Sequence, residues 1–282
     1  MATQQKSLQS VAAAQAPANS TIETKRPRDV IASRSSRELV LAFSGPIGCG
    51  IDSVKERTTT ILEGLSYKVE QIKISEYIKQ CLRDKIIELS DKYSESKADN
   101  YLKLQDAGNM LRQHQTDILA EYAIQQIASI RIKCIPDEVE VKETEPQKTA
   151  YLIDQLKHPD EVQLLRMLYG NLFFLFGVLS VAPRRKARLI ARSVAEAEIS
   201  KLVERDRRQS NSHEQQLDKT LQLADFFIRN DHANAETLSR QIRRFCELMH
   251  GANITPTLEE YARRSGGRSA QPLSASCGLK SF

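Results

Sequence analysis

The most constraining feature of this sequence is a glycine-rich turn between an apolar run and the start of a helix. The segment reads Glu38-Leu-Val-Leu-Ala-Phe-Ser-Gly-Pro-Ile-Gly-Cys-Gly-Ile-Asp-Ser53. Gly45 and Gly50 have the G-x-x-x-x-G spacing of a Walker A loop, whose backbone N–H groups cradle phosphate at a helix N-terminus. The Lys-Ser/Thr pair that completes this motif is replaced here by Ile51-Asp52. The sequence therefore predicts a phosphate loop that has kept its glycines and lost its cation.

The missing lysine bears directly on chemistry, because that lysine neutralises the phosphoryl group and the Ser/Thr hydroxyl holds Mg²⁺. Losing one ion pair at ~4 Å removes on the order of 4 kcal/mol at an effective dielectric constant near ~20. Two interpretations stay open: Asp52 binds Mg²⁺ in the hydroxyl's place, or the turn binds nothing. Helix N–H groups would lower the pKa of the Cys49 thiol, but a small buried filler explains this residue better. The predicted nucleotide-binding residues of the turn are Gly45, Gly48, Cys49, Gly50, Ile51, Asp52 and Ser53.

Strand-like and helix-like segments alternate along the chain, which predicts βαβ units and a parallel sheet. Apolar or alternating runs predict strands at 39–43, 67–74, 149–154, 171–180 and 225–230. Helical spacing predicts helices at 53–64, 76–89, 100–135, from 158, 186–202 and 235–250. Together with the glycine turn, this order predicts an α/β fold, a three-layer sandwich with a parallel five-stranded sheet. We expect it to resemble P-loop NTPases and nucleoside-monophosphate kinases and to span residues 37–250.

Composition narrows the class of partner. A net charge of +5 favours anionic ligands such as nucleotides, whereas 6% aromatic residues without Trp give no platform for stacking nucleic-acid bases. The five cysteines are scattered without a C-x-x-C pair, so neither a zinc knuckle nor a disulfide framework is predicted. The longest apolar run, 172–182, is about half of what spans a bilayer. We expect a cytoplasmic protein with no membrane segment and no metal ligands of its own.

Two further groups have the spacing of a nucleotide site. Asp154 ends an apolar strand, as a Walker B acid would, although an acid that caps the next helix explains it about equally well. Gln105, Asn109 and Arg112 share one helix face at spacings of about one turn. That face is either a reader of an acceptor nucleotide or, more commonly, a solvated surface.

Two clusters of arginines follow the fourth predicted strand. Paired clusters at this position along the chain are typical of a mobile lid that closes over polyphosphate. Guanidinium groups suit bidentate phosphate contacts. A solvated charged surface with i,i+4 pairs to Glu198 and Glu204 has comparable weight. The clusters also contain Lys186 and Arg207, and the candidate lid contacts among them are Arg184, Arg185, Arg188, Arg205 and Arg208.

Four segments together resemble the N-terminal domain of the two-domain anti-phage deoxycytidylate deaminases of bacteria. They are Leu41-Ala-Phe-Ser-Gly-Pro-Ile-Gly-Cys-Gly-Ile-Asp52, Tyr151-Leu-Ile-Asp-Gln-Leu-Lys-His-Pro-Asp-Glu161, Phe174-Leu-Phe-Gly177 and Glu247-Leu-Met-His-Gly-Ala-Asn-Ile-Thr-Pro-Thr-Leu-Glu-Glu-Tyr-Ala262. The resemblance covers residues 37–262, roughly four-fifths of the chain. It implies a P-loop-kinase-like domain followed by a zinc-dependent hydrolase that converts deoxycytidine to deoxyuridine nucleotides. It also implies a role in antiviral defence and restraint by a small RNA in uninfected cells.

The sequence departs from this family in its last segment. A zinc deaminase needs H-x-E and P-C-x-x-C motifs, and the sequence has neither. Residues 1–36 are predicted to be a disordered arm. Residues 251–282 are predicted to be a linker and a remnant or out-of-frame start of the deaminase domain, so zinc is expected only in a domain that is missing here. We hypothesise truncation or a frameshift, and finding no H-A-E or P-C-x-x-C in the other two reading frames past codon 262 would remove this hypothesis.

Three functions therefore remain open at the level of sequence. The leading prediction is a regulatory domain that binds a nucleotide or deoxynucleotide, with Mg²⁺ as a candidate companion, and that has no catalytic residues of its own. The second is a divergent nucleotide or deoxynucleotide kinase that uses Asp52, Asp154 and the lid arginines. The third is a scaffold that self-associates into a homo-oligomer and binds no nucleotide.

Overall fold

A computed structural model describes residues 37–89, 93–94, 96–133, 148–207, 214–231 and 235–249. Within these ranges five strands form one parallel sheet in the order β2-β3-β1-β4-β5. The strands are β1 (Glu38–Ser44), β2 (Lys68–Lys73), β3 (Thr149–Asp154), β4 (Phe173–Leu179) and β5 (Phe226–Arg229). From β1 the chain passes to β2 and β3, which lie on one side of β1 in the sheet, and then crosses to β4 and β5 on the other side of β1. The carboxyl end of β1 is therefore a topological switch point, where α/β sheets commonly bind ligands.

Helices connect and cover the strands. In the described ranges they are α1 (Ile51–Gly64), α2 (Ile74–Arg83), α3 (Lys97–His114), α4 (Ile118–Lys133), α5 (Pro159–Tyr169), α6 (Ala182–Ala191), α7 (Glu196–Arg207), α8 (Leu217–Gln222) and α9 (Ala235–Met249). A short 3₁₀ turn, Gly170–Leu172, precedes β4. None of these helices combines the length and the apolar character that crossing a membrane requires.

Both faces of the central strand are buried. Val40 and Ala42 pack toward α2, α3, α4 and α5, whereas Leu41 and Phe43 pack toward α1 and α9. All four side chains are fully buried, which is why β1 reads as a continuous apolar run rather than an alternating one. The described fold is thus the predicted α/β sandwich of three layers with five parallel strands.

Several element bounds differ from the predicted ones. The helix predicted over 100–135 is two helices, because Gln115 is extended (φ −157°, ψ 119°) and ends α3. The helix predicted over 186–202 is also two, because Ser193 lies in the left-handed region at φ 63°. Helix α6 begins earlier than predicted, at Ala182, with a proline in its first turn. Helix α8 was not predicted, since six residues are too few for a periodic pattern.

Some sequence predictions fall outside the described residues. These are the arm 1–36, the last two residues of the helix predicted over 100–135, Arg208, the end of the closing helix at His250 and the segment 251–282. They stay predictions.

Candidate functional site

The glycine turn lies where β1 ends, between the carboxyl ends of β3 and β4. Gly48 and Gly50 have φ of 78° and 84°, values that favour glycine, and Gly50 is the N-cap of α1. A Cβ on Gly45 would lie 2.5 Å from the Val178 carbonyl oxygen, so the turn packs directly against β4. The glycine-rich turn that the sequence predicts is therefore present, and α1 begins directly after it.

The side chains of Arg188 and Asn230 hold the loop by donating to its backbone carbonyl oxygens. Arg188 Nη1 donates to the Cys49 carbonyl oxygen at 3.0 Å and to that of Gly48 at 3.3 Å. Asn230 Nδ2 donates to the carbonyl oxygens of Cys49 at 2.9 Å and Gly50 at 3.1 Å. Arg188 Nη2 also donates to the Asn230 carbonyl oxygen at 2.6 Å, which joins the two. Arg188, predicted to be a lid contact, is thus engaged with loop carbonyl oxygens.

The carboxylate of Asp206 accepts a hydrogen bond from a backbone amide of the loop. The Ile47 backbone N–H donates to Asp206 Oδ2 at 2.7 Å, across 159 residues of chain. Lys157 Nζ lies 2.6 Å from Asp206 Oδ1 and 3.3 Å from the Gly45 carbonyl oxygen. Asp206 is 2% exposed and Lys157 is 7% exposed. A buried anion held by a loop amide and an ammonium group is the arrangement that a phosphate loop offers to phosphate.

An apolar cluster covers this ion pair. Ile47 of the loop packs with Leu102 of α3, Leu189 of α6 and Leu202 of α7, all nearly buried. Because full burial of such a side chain contributes about 1.5–3 kcal/mol, the cluster holds α6 and α7 against the loop. Within the segment predicted as a lid, Arg188 of α6 and Asp206 of α7 both contact the loop.

A second charged group lies beside the start of α1. Lys55 Nζ is 2.5 Å from Asp154 Oδ2 and 3.4 Å from Asp52 Oδ1, and Asp52 also pairs with Arg192 at 2.6 Å. Partial burial would raise the pKa of Asp52, but the positive charges of Lys55 and Arg192 outweigh it and lower that pKa below its usual value. The group opens onto a polar cleft of 460 Å³.

The cap interpretation of Asp154 is wrong, because helix α5 is capped by His158. The His158 side chain accepts from the Asp160 backbone N–H, and Glu161 accepts from the His158 backbone N–H, a reciprocal capping box. Asp154 instead directs its carboxylate to Lys55, as an acid at the edge of a nucleotide site would.

The fit of this group to Mg²⁺ is limited by its own cations. Among the described residues no cluster of three His, Cys, Asp or Glu side chains converges as a metal site. Mg²⁺ in nucleotide sites is commonly held by one or two carboxylates together with phosphate oxygens and water. Asp52 and Asp154 could hold it only together with phosphate oxygens and only after Lys55 has moved away.

Cys49 is a packing residue. It is 2% exposed, and burial raises the pKa of its thiol to about 11, against the partial lowering by Lys157. Desolvation of the thiolate raises this pKa, and the lowering by the Ile51 backbone N–H, which the sequence predicted, is the smaller effect. The interpretation as a small buried filler is confirmed.

The helix face of Gln105, Asn109 and Arg112 is not solvated. The three residues are 8%, 9% and 3% exposed, so the common interpretation as a surface is wrong. Arg112 Nε donates to Glu161 Oε1 at 2.8 Å in a fully buried pair. Gln105 and Arg112 line a cavity next to the loop.

The remaining candidate arginines lie apart from one another. Arg184 is exposed on α6, and Arg185 packs its backbone against Gly48. Arg205 pairs with Asp106 of α3. Lys186 pairs with Glu196 at 2.5 Å.

Sequence reasoning missed three charged residues at or beside the loop: Lys55, Lys157 and Asp206. Lys55 follows Ile51 by one helical turn, a signal that was present in the sequence. Asp206 lies between arginines in Glu204-Arg-Asp-Arg-Arg208, and no local pattern indicates that it reaches a loop so distant in sequence.

Comparisons with known proteins give structural similarity without a family. No protein-family model and no curated protein matches the sequence. Solved structures that resemble it include TT1252 from Thermus thermophilus (14% identity, TM-score 0.41, covering 78% of this chain and 100% of that one). A second is the Mycobacterium tuberculosis APS kinase CysC in complex with AMPPNP and APS (14% identity, TM-score 0.40, covering 77% of this chain and 99% of that one). A third is an uncharacterized protein from Eubacterium ventriosum (10% identity, TM-score 0.37, covering 74% of this chain and 98% of that one). Similarity this distant assigns no function, so the assignment depends on the site.

Proposed function

We propose that this chain is a nucleotide-binding regulatory domain of the anti-phage deoxycytidylate deaminase type. The observation that carries the proposal is the occupied glycine loop. Asp206 accepts from the Ile47 amide of the loop at 2.7 Å and from Lys157 at 2.6 Å, which supports an anion-binding role for this loop. The loop thus has an anion site, and the anion present is an exchangeable part of the protein.

Sensing is favoured over phosphoryl transfer by the charges at the loop. Ile51 offers no cation, Lys157 is neutralised by Asp206, and Lys55 is engaged by Asp154 and Asp52. A phosphate that enters the loop takes the place of the Asp206 carboxylate and recruits Lys157. Since Asp206 is part of α7, displacing it releases α7 from the loop and reports occupancy to the protein surface.

The link to deaminases rests on one segment in particular. The residues 151–161 that resemble the family include Asp154, Lys157 and Glu161, each of which pairs with a different part of the site. A segment this specific to the site is expected to be shared by proteins that share its role. A small RNA and self-association, both implied by the resemblance, are part of the same proposal.

Thermal unfolding of the full chain with deoxynucleoside and ribonucleoside triphosphates tests nucleotide binding. A ligand present at 100 times its Kd raises the free energy of unfolding by about 2.7 kcal/mol. We expect stabilisation without turnover, lost in Lys157→Met and kept in the control Lys219→Met, whose side chain is exposed on α8. No stabilisation by any nucleotide would contradict the proposal and leave the scaffold.

A turnover assay separates the sensor from a kinase. ATP-dependent phosphorylation of a deoxynucleotide that disappears in Asp154→Ala would replace the sensor with a divergent kinase. The regulatory role is tested by adding the purified chain to an intact deaminase of the family. We expect the rate of deoxycytidine nucleotide deamination to change with the nucleotide bound to the chain, and an unchanged rate would remove the deaminase link.

A further inference from the structure

A cavity of 240 Å³ adjoins the loop on the side of α2 and α3. Its apolar wall includes Ile74, Ile78 and Leu104, and its polar wall includes Gln105 and Arg112. Ile47 and Asp206 also line it, so the cavity and the anion site of the loop are continuous. It is somewhat smaller than the roughly 300–1,000 Å³ of pockets for drug-sized ligands, which suits a single small ring system.

Two buried polar atoms of this wall have no hydrogen-bond partner within the described part of the chain: Gln105 Oε1 and Arg112 Nη1. Buried polar groups in native proteins are nearly always paired, so an unpaired acceptor and an unpaired donor on one cavity wall call for an explanation. A solvated surface cannot provide it, because Gln105 is 8% and Arg112 is 3% exposed.

The orientation of the donor is fixed by the fold. Arg112 Nε donates to Glu161 Oε1 at 2.8 Å, and Glu161 is held in turn by the backbone amides of Lys157 at 2.9 Å and His158 at 3.1 Å. The guanidinium plane is therefore set by the start of α5, and Nη1 is preorganised for a ligand. The aromatic ring of Tyr101 is part of the same cavity lining and offers a surface for stacking.

We propose that this cavity binds the nucleobase of a nucleoside or nucleotide, with Gln105 Oε1 accepting from a base N–H and Arg112 Nη1 donating to a ring nitrogen or carbonyl oxygen. The proposal rests on the proposed function, since a nucleotide whose base enters here extends its phosphates toward the loop and Asp206. The base then selects which nucleotide displaces Asp206. A site built from hydrogen bonds discriminates strongly, because a ligand without the matching groups leaves buried polar atoms unpaired.

Nucleosides without phosphate and tripolyphosphate without a base separate the two proposals in titration calorimetry of the full chain. Probes are deoxycytidine, thymidine, deoxyadenosine and deoxyguanosine at millimolar concentration. We expect at least one nucleoside to bind wild type and to bind Gln105→Leu about tenfold or more weakly, the loss of a hydrogen bond. Gln113→Leu, on the exposed face of the same helix, is the control and should bind like wild type.

If Gln105 were purely structural, Gln105→Leu would lower the melting temperature of the free protein. Under the proposal, the change removes an unpaired buried acceptor, so the melting temperature should be equal or higher and tripolyphosphate binding should be unchanged. Gln105→Asn keeps the amide but shortens the side chain and should give an intermediate affinity. Tripolyphosphate binding without any nucleoside binding would overturn the proposal that the cavity binds a base, and it would leave phosphate binding by the loop in place. Equal nucleoside affinity in wild type and Gln105→Leu would also overturn it, and binding of neither probe would overturn both proposals.

Discussion

The carboxylate of Asp206 accepts a hydrogen bond from the backbone amide of Ile47 at 2.7 Å, which places an acidic side chain against the glycine loop. Lys157 completes the arrangement from β3's side of the sheet, 2.6 Å from the same carboxylate. The lysine lost from the loop sequence thus has a counterpart elsewhere in the chain. Lys157 and Asp206 neutralise each other beside the loop.

Asp206→Asn should open the loop to phosphate. The amide can still accept from Ile47, but Lys157 is left buried and unpaired, which should lower the free energy of unfolding by about 3 kcal/mol. Apparent affinity for nucleoside triphosphates should rise by roughly tenfold or more, because affinity scales with the fraction of molecules whose loop is free. Calorimetric titration and urea unfolding measure both effects. Asp218→Asn, exposed on α8, is the control, and an unchanged affinity in Asp206→Asn would contradict displacement.

Lys157 and Asp206 should be strongly coupled in stability. Lys157→Met or Asp206→Leu alone leaves a buried charge without its partner and should cost about 3–5 kcal/mol. The double variant should cost clearly less than the sum, and a coupling energy of about 1–3 kcal/mol is expected from a double-mutant cycle. Additive effects in urea unfolding would show that the two side chains do not interact as described.

Gly50 should tolerate no side chain. Its φ of 84° disfavours L-residues, and an added Cβ would lie 2.5 Å from Asn230 Nδ2. Gly50→Ala should therefore lower the free energy of unfolding by about 2 kcal/mol or more. Gly64→Ala, where an added Cβ meets nothing within 4 Å, should leave it unchanged or slightly raised. Equal effects of the two changes in thermal unfolding would contradict the loop geometry.

The sequence predicted the scaffold of the site because its signals are local. Continuous apolar residues such as Leu41 and Phe43 indicate a strand buried on both faces, and the spacing of Gly45 and Gly50 indicates the turn that follows. The strands were therefore found within a few residues. The breaks at Gln115 and Ser193 were missed, since neither residue type ends a helix reliably.

The charges of the site could not be predicted in the same way. Asp206 and Ile47 are 159 residues apart, and their contact depends on how α7 packs against α3 and α6. An acid between arginines is usually solvated, so its burial has no signature in the sequence. The arginines were the more conspicuous residues, yet Arg188 binds loop carbonyl oxygens and Arg205 pairs with Asp106.

Cys49 should report loop opening. Because burial raises its pKa to about 11, only roughly one molecule in a thousand carries the thiolate at pH 8. Native protein should therefore be alkylated slowly at Cys49, and denatured protein rapidly, as read by peptide mass spectrometry. Asp206→Asn should accelerate labelling, since a freed loop exposes the thiol. Rapid labelling of the native wild type would contradict the described packing.

Acid should loosen the junction between β5 and α6 through Asp231. Hydrogen bonding from Arg229 is the main reason that the Asp231 pKa is lowered to about 2, and Ser180 and Val181 also donate to it. A carboxyl group whose pKa is lowered in the folded protein stabilises the fold at every pH above its ordinary pKa of 3.8. This stabilisation is lost as the pH falls toward about 2. Asp231→Asn should flatten the pH dependence of urea unfolding between about pH 4 and pH 2. An unchanged slope would contradict the assignment.

The backbone amide of Ile47 gives the most direct test of an exchangeable anion in the loop. Its ¹⁵N–¹H resonance can be followed in the full chain while a nucleoside triphosphate is added, with Asp206→Asn as the reference for a loop without the carboxylate. We predict that the ligand moves this resonance in a saturable manner and that Lys157→Met abolishes the shift. A nucleotide that binds while the Ile47 resonance stays in place would show that the Asp206 carboxylate is a permanent part of the fold.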